Sequence, residues 1–342
     1  MKIYLLNTLK TGIVFAELLS REIEIAGIIA IKKECSDKIN EYYDYGNFCK
    51  LHKTKLIEVN SYALSDEDDK RKIEELEIDI VITSAWQRLV PKWLIEHCKI
   101  GGIGVHGSSS GISQGRGRSP QNWALLSGKD RFYISLFWLN KGIDDGDVID
   151  TKEFCYELID DIAISYEKES IAIAQMLVDN IRNGNIEKHY GKKQVEDGKY
   201  LPKRVEADGM IDWNRSCIEI YNFVRALTIP YPCAYTEVND IKIKIIECKY
   251  IVNESNLLSK YRCGEVVMDT ENFVWIKCKD GVIEIRKNIN KDISGVKVGD
   301  VMKQCSFNRQ IENIIERHKA EVGLPVAKLV TELLVGESCV EV

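Results

Sequence analysis

Residues 101–147 read GGIGVHGSSSGISQGRGRSPQNWALLSGKDRFYISLFWLNKGIDDGD. A short apolar run ends at His106. A loop of Gly, Ser and Arg follows and closes at Ser119-Pro120. After it come a helical patch, a strand-like YISLFWL and an acidic turn, Asp144-Asp145-Gly146-Asp147. An imidazole titrates near neutrality, so at a strand end it can donate a proton or polarise a carbonyl. A carboxylate beside it would orient the ring or take a proton. The plainer alternatives are a histidine bonded to a loop carbonyl and a solvated turn, which Asp and Gly favour anyway. Ser119-Pro120 fits an N-cap followed by a first-turn proline, so a helix is expected from there.

Upstream of this stretch, residues 3–6, 26–31, 56–59, 78–84 and 103–106 read as strands. Helical spacing over 11–22 (Ile13, Phe15, Ala16, Leu19) and charged helical stretches separate them. Strands alternating with helices predict an α/β fold with a Rossmann-like, mostly parallel sheet. In such sheets ligands bind beyond the carboxyl ends of the strands, where residues 84–90 and His106 would lie. An amphipathic helix over 162–181 would close this domain.

Downstream the pattern changes. Residues 183–200 are polar and glycine-dotted, as in a linker. A helix over 218–227 stops before Pro230 and Pro232. Strand-like runs follow at 234–238, 241–250, 265–268, 273–278 and 282–286, with a hairpin signal at Asp280-Gly281. They predict a smaller, mainly β, barrel-like C-terminal domain, and residues 307–334 a helical tail. The expected boundaries are a catalytic domain over 1–190, a linker over 191–204, a β-rich domain over 205–305 and a tail over 306–342.

The 342 residues are enough for two domains, and 45% hydrophobic with 29% charged residues is ordinary for a soluble globular protein. A formal net charge of −6 argues against a nucleic-acid partner. The 11 cysteines contain no C-x-x-C pair, so no metal is expected and reduced thiols in a cytoplasmic protein are. No apolar run approaches the roughly 18–20 residues that span a bilayer, so no membrane partner is expected. The serines after His106 lack a G-x-S-x-G elbow, and the glycines around Arg116 and Arg118 form neither a P-loop nor a dinucleotide fingerprint. The D-D-G-D run lacks the ligand spacing of an EF-hand.

The stretch resembles the folate-dependent formyltransferases, whose pattern is N-x-H-x-S at a strand end, a loop ending R-G-x-x-P, a helix, a strand, then D-x-G. Here His106-Gly107-Ser108 matches H-x-S and Asp144-Asp145-Gly146 matches D-x-G. RGRSPQNW at 116–123 is similar to the amino-sugar members of that family. DIVITSAWQRLV at 79–90 resembles the strand and loop that hold the pterin. LPKRVEADGMIDW at 201–213 and FVRALTIPYPCAY at 223–235 resemble the start of the family's C-terminal domain.

The resemblance implies transfer of a formyl group from 10-formyltetrahydrofolate, as co-substrate, to the amine of a nucleotide-linked 4-amino sugar. It implies His106 as the group that stabilises the developing oxyanion and protonates the leaving nitrogen, with Asp144 orienting and charge-balancing it. Arg88, Leu89, Val90, Arg118, Lys141, Gly142 and Ile143 would line the folate site. Lys10, Ser108 and Asn122 would face the acceptor. The strand domain and tail offer surface for a homodimer.

This chain departs from the pattern at two places. Gly104 replaces the family asparagine, and loss of such an oxyanion donor costs ~3–4 kcal/mol in other enzymes. A longer loop, 109–114, replaces the usual L-L-P. Methionyl-tRNA formylation, folate binding without catalysis and hydrolysis of the formyl donor therefore stay open as alternatives, with Asn122 as a candidate substitute for the missing amide.

Overall fold

The computed structural model describes residues 1–39, 41–195, 197–253 and 256–335. In chain order its elements begin with β1 (Ile3–Asn7), α1 (Gly12–Ser20), β2 (Gly27–Ile31), α2 (Gly46–His52) and β3 (Lys55–Val59). Next come α3 (Glu67–Glu74), β4 (Ile80–Ala85), α4 (Lys92–His97), β5 (Gly101–Ser108) and β6 (Arg116–Gly117). Then follow α5 (Pro120–Leu126), β7 (Arg131–Trp138), β8 (Val148–Cys155), α6 (Ile162–Arg182) and β9 (Tyr200–Leu201). The remainder is α7 (Cys217–Leu227), β10 (Ala234–Val238), β11 (Ile241–Ile245), β12 (Lys249–Val252), β13 (Val266–Asp269), β14 (Phe273–Cys278), β15 (Gly281–Arg286), α8 (Phe307–Glu321) and α9 (Lys328–Val335).

Two compact units form, and neither is contiguous. The first holds Met1–Arg116, Phe132–Phe154 and Tyr166–Gly198; the second holds Gly117–Arg131, Cys155–Ser165 and the chain from Lys199 onward.

The first unit is built on a seven-stranded sheet in the order β3-β2-β1-β4-β5-β7-β8. β1 to β5 run parallel, and β7 is antiparallel to β5. IYLLN in β1 and GIIAI in β2 are buried at every position, as strands covered on both faces must be. On one side Leu6, Ile29, Ile57, Val81 and Trp86 share a core. Strand order reverses between β1 and β4, which makes the carboxyl ends of β1, β4 and β5 the expected place for a ligand.

The second unit is β-rich, as expected. β10 and β11 form one antiparallel hairpin, and β12-β15-β14-β13 form a four-stranded antiparallel sheet. α7 opens with a capping box between Ser216 and Glu219 and buries Ile220, Phe223 and Val224. α8 starts at Ser306, whose hydroxyl accepts from Arg309 N at 3.4 Å. The tail is helical through α9, and positions 336–342 of the expected tail lie outside the described residues. No described helix is long and apolar enough to cross a membrane.

Three expectations change. The stretch read as a linker is largely a part of the first unit. Lys192 and Val148 exchange backbone hydrogen bonds at 2.8 Å in both directions, and that non-local pairing leaves no mark in a polar sequence. α5 begins at Pro120 as predicted, but Ser119 has left-handed backbone (φ 55°) and its side chain does not cap. α5 also belongs to the second unit, so the boundary at 190 is not a simple cut. The hairpin expected at Asp280-Gly281 does form, joining β14 to β15 at residues 278–281. A second hairpin turn, Asn239-Asp240, is left-handed, with φ of 50° and 62°. Those two residues turn the chain between β10 and β11.

Candidate active site

β5 puts Gly104, His106 and Ser108 on one face of the sheet, because side chains alternate along a strand. His106 is 8% exposed and pairs across the strands with Ser135. Its Nε2 lies 2.7 Å from the Gly115 carbonyl oxygen, and its Nδ1 lies 3.5 Å from Asp144 Oδ2. A carbonyl can only accept, so Nε2 donates to Gly115. The protonated ring would donate from both nitrogens, to the carbonyl and toward the carboxylate.

The acidic turn is shaped by its backbone. Asp144 has φ 51°, in the left-handed region. Gly146 has to be glycine: a Cβ there would stand 1.7 Å from the Trp138 carbonyl oxygen. That approach lets Trp138 N donate to Asp147 O at 2.9 Å and closes the turn onto the end of β7.

The other sequence-derived residues fall into two groups. Lys10 follows β1 and is exposed, with its backbone N–H on Glu41 O at 2.8 Å. Arg88 and Leu89 follow β4. Arg88 lies over the Tyr62 ring, 4.9 Å from its centroid, and Leu89 is 63% exposed. Val90 packs on the core beneath. Lys141, Gly142 and Ile143 lead into Asp144, and Asn140 Oδ1 holds Gly142 N at 2.9 Å. Ser108 is buried, and its hydroxyl accepts Ser110 N at 3.1 Å. All of these belong to the first unit, as do His106 and Asp144. Trp86, at the end of β4, is a core residue edge-on to Tyr62.

Arg118 and Asn122 belong to the second unit. Arg118 N donates to Leu201 O at 3.0 Å. Asn122 is fully buried, and its amide nitrogen donates to the carbonyl of Ala226 near the end of α7. The side chain is thereby committed to joining α5 to α7. Asn122 thus has a packing role beside the expected one of acceptor ligand or substitute oxyanion donor. Its neighbour Trp123 is likewise buried, with Nε1 on Pro202 O at 3.0 Å.

Sequence reasoning missed Gln194, whose side-chain amide bonds both to the loop after His106 and to the acidic turn. It stands in a polar run with no motif around it, so no local signal marked it.

Among the described residues one cluster has metal-ligand composition: Cys217, Cys278 and Asp280. Its members satisfy one another. The sulfurs are 3.0 Å apart, and Asp280 Oδ1 accepts Cys217 N at 2.7 Å. Two thiolates on one tetrahedral zinc stand roughly 3.8 Å apart, given Zn–S bonds of about 2.3 Å.

Comparison with known proteins gives a consistent answer. The family described as "Formyl transferase" matches residues 14–167, and "Formyl transferase, C-terminal domain" matches residues 204–303. A methionyl-tRNA formyltransferase of Thermodesulfovibrio yellowstonii is 30% identical over 225 residues, covering 65% of this chain and 69% of that protein. One from Bacillus subtilis is 30% identical over 203 residues, covering 58% of this chain and 62% of the relative, less than two thirds of its length. The solved structure of WlaRD, a sugar 3N-formyl transferase in the presence of dTDP and 5-N-formyl-THF, matches with a TM-score of 0.56. That match covers 84% of this chain and 97% of the other at 17% identity, a likeness of fold.

Proposed function

Because this chain belongs to the formyl transferase family, we propose that it moves the formyl group of 10-formyltetrahydrofolate onto the primary amine of a nucleotide-linked 4-amino sugar. The observation that carries the reading is the His106–Asp144 pair, 3.5 Å apart, at the carboxyl end of β5.

10-Formyltetrahydrofolate supplies an activated formyl carbon. Its site would be formed by Arg88, Leu89, Val90 and the backbone of Lys141 to Ile143. The guanidinium of Arg88 suits an anionic tail, and the exposed Leu89 suits the face of a flat aromatic ring. The neutral amine adds to the formyl carbon, and negative charge develops on the formyl oxygen. His106 Nε2 exchanges the Gly115 carbonyl for that oxygen and donates to it. Asp144 faces the other ring nitrogen and balances the imidazolium. The proton of His106 passes to the leaving folate nitrogen, while Asp144 takes the proton lost by the amine. The exchange at Nε2 requires the Gly115 carbonyl to turn away from the ring while its neighbours Ser113 and Arg116 keep their place.

A net charge of −6 is ill-suited to a polyanionic acceptor, and RGRSPQNW resembles the sugar-modifying members. Methionyl-tRNA is the second reading, supported by the names of the aligned relatives. The test is purified protein with 10-formyltetrahydrofolate and, in parallel, a panel of nucleotide-linked 3- and 4-amino sugars or methionyl-tRNA. Tetrahydrofolate release dependent on an amino sugar is the expected result. Release dependent on methionyl-tRNA would replace the acceptor, and release without any amine would make the protein a hydrolase.

A further inference from the structure

We propose that Gln194 is a positioning residue of this site, bracing the loop end and the acidic turn that flank the two ring nitrogens of His106. The inference rests on the formyl-transfer reading for its kinetic arm alone.

Gln194 Oε1 accepts Ser113 Oγ at 3.1 Å and Arg116 Nε and Nη2 at 3.2 and 2.9 Å. Ser113 and Arg116 flank Gly115, whose carbonyl receives His106 Nε2. Gln194 Nε2 donates to the backbone oxygens of Asp144 and Gly146, both at 2.8 Å. These fix the turn that carries the Asp144 carboxylate beside Nδ1. One planar amide therefore spans the loop on one side of the ring and the acidic turn on the other.

The orientation of the amide is determined by chemistry. A flipped side chain would set its N–H groups against the Arg116 guanidinium and its oxygen against two carbonyls. Arg116 is held again by the Val195 carbonyl at 3.1 Å, so the loop end is tied to Gln194 and to the residue after it. The network is half-buried, yet several bonds that share one amide hold their members more firmly than single bonds do, and small misplacements of catalytic groups cost rate steeply.

The two halves of the brace can be separated. Gln194→Glu keeps the acceptors for Ser113 and Arg116 but loses both donors to the acidic turn. Gln194→Met keeps the length and loses both halves. The test uses whole protein labelled with 15N-histidine, with the His106 ring signals assigned by a His106→Gln control. Alongside it, kcat and KM for 10-formyltetrahydrofolate are measured with the best acceptor of the panel above. The expected result is displaced His106 ring-nitrogen signals in both variants, kcat at least tenfold lower in Gln194→Met, and KM within threefold. Melting temperatures should stay within a few degrees.

Unchanged His106 signals in a folded Gln194 variant overturn the proposal, whatever the protein catalyses. Displaced signals with an unaltered kcat also overturn it as a positioning role. Displaced signals in a protein that transfers no formyl group support the brace and sink the reading of function instead.

Discussion

Phe137 closes the space over Gly104. The two residues pair across β5 and β7, and a Cβ on Gly104 would stand 2.5 Å from Phe137 Cζ and 2.8 Å from Leu139 Cδ2. Gly104 is two residues before His106, so a side chain there would emerge on the face that carries the imidazole. In the family pattern that position is an asparagine. Here an aromatic ring, itself 3% exposed, takes up the room that an amide would need. Gly104 and Phe137 thus form one packing unit, and the amide cannot be restored by changing one of them.

Gly104→Asn alone should therefore not raise turnover. Overpacking against Phe137 and Leu139 should lower stability by about 1–3 kcal/mol. Adding Phe137→Ala to Gly104→Asn should recover part of that loss, because the two changes share one space. Urea denaturation of both single variants and the double one measures the coupling. A Gly104→Asn protein as stable as the parent, and faster, would show that Phe137 yields easily and is not the constraint.

His106→Ala and Asp144→Asn should each lower turnover by roughly 10²–10⁴, the usual range for losing a general acid or base. Binding of 10-formyltetrahydrofolate, followed by fluorescence or calorimetry, should change little, since neither group is assigned to hold it. Near-normal turnover in either variant would remove the pair from the chemistry.

The parallel sheet was legible because its strands are nearly continuous apolar runs, such as IYLLN and GIIAI, separated by charged helices. His106 and Asp144 were legible as residue types in a motif, and the turn at Gly146 follows from a backbone approach that only glycine permits. Gln194 was not legible. Its role comes from partners at residues 113, 116, 144 and 146, and such long-range side-chain bonds impose no local pattern. The same holds for α5. Its sequence predicts a helix but not that Asn122 turns inward to the carbonyl of Ala226.

The inward amide makes a prediction that separates packing from binding. Asn122→Ala removes the donor to Ala226 O and leaves a small cavity between α5 and α7. The change should cost about 2–3 kcal/mol, combining an unsatisfied buried carbonyl with lost contacts. The KM for acceptor should stay within about threefold of the parent value. A stable Asn122→Ala protein with a strongly raised acceptor KM would place this residue in the binding site.

Cys98 ties stability to alkaline pH. Its side chain is 6% exposed at the end of α4, and the thiol donates to Leu94 O at 3.2 Å. Burial, opposed by a backbone hydrogen bond from Val81, pushes the thiol from its ordinary 9.0 up to about 12. The folded state therefore keeps a proton that the unfolded chain releases above pH 9. The stabilisation from the neutral thiol is complete below that value and is lost as pH rises through about 12. Between pH 8 and pH 10 this group alone should remove about 1 kcal/mol from the unfolding free energy. Cys98→Ala has no proton to lose, so it should begin less stable than the parent and decline less steeply with pH. Urea denaturation of both proteins at pH 8, 9 and 10 measures the difference in slope. Parallel pH dependences would show that Cys98 does not govern the alkaline loss.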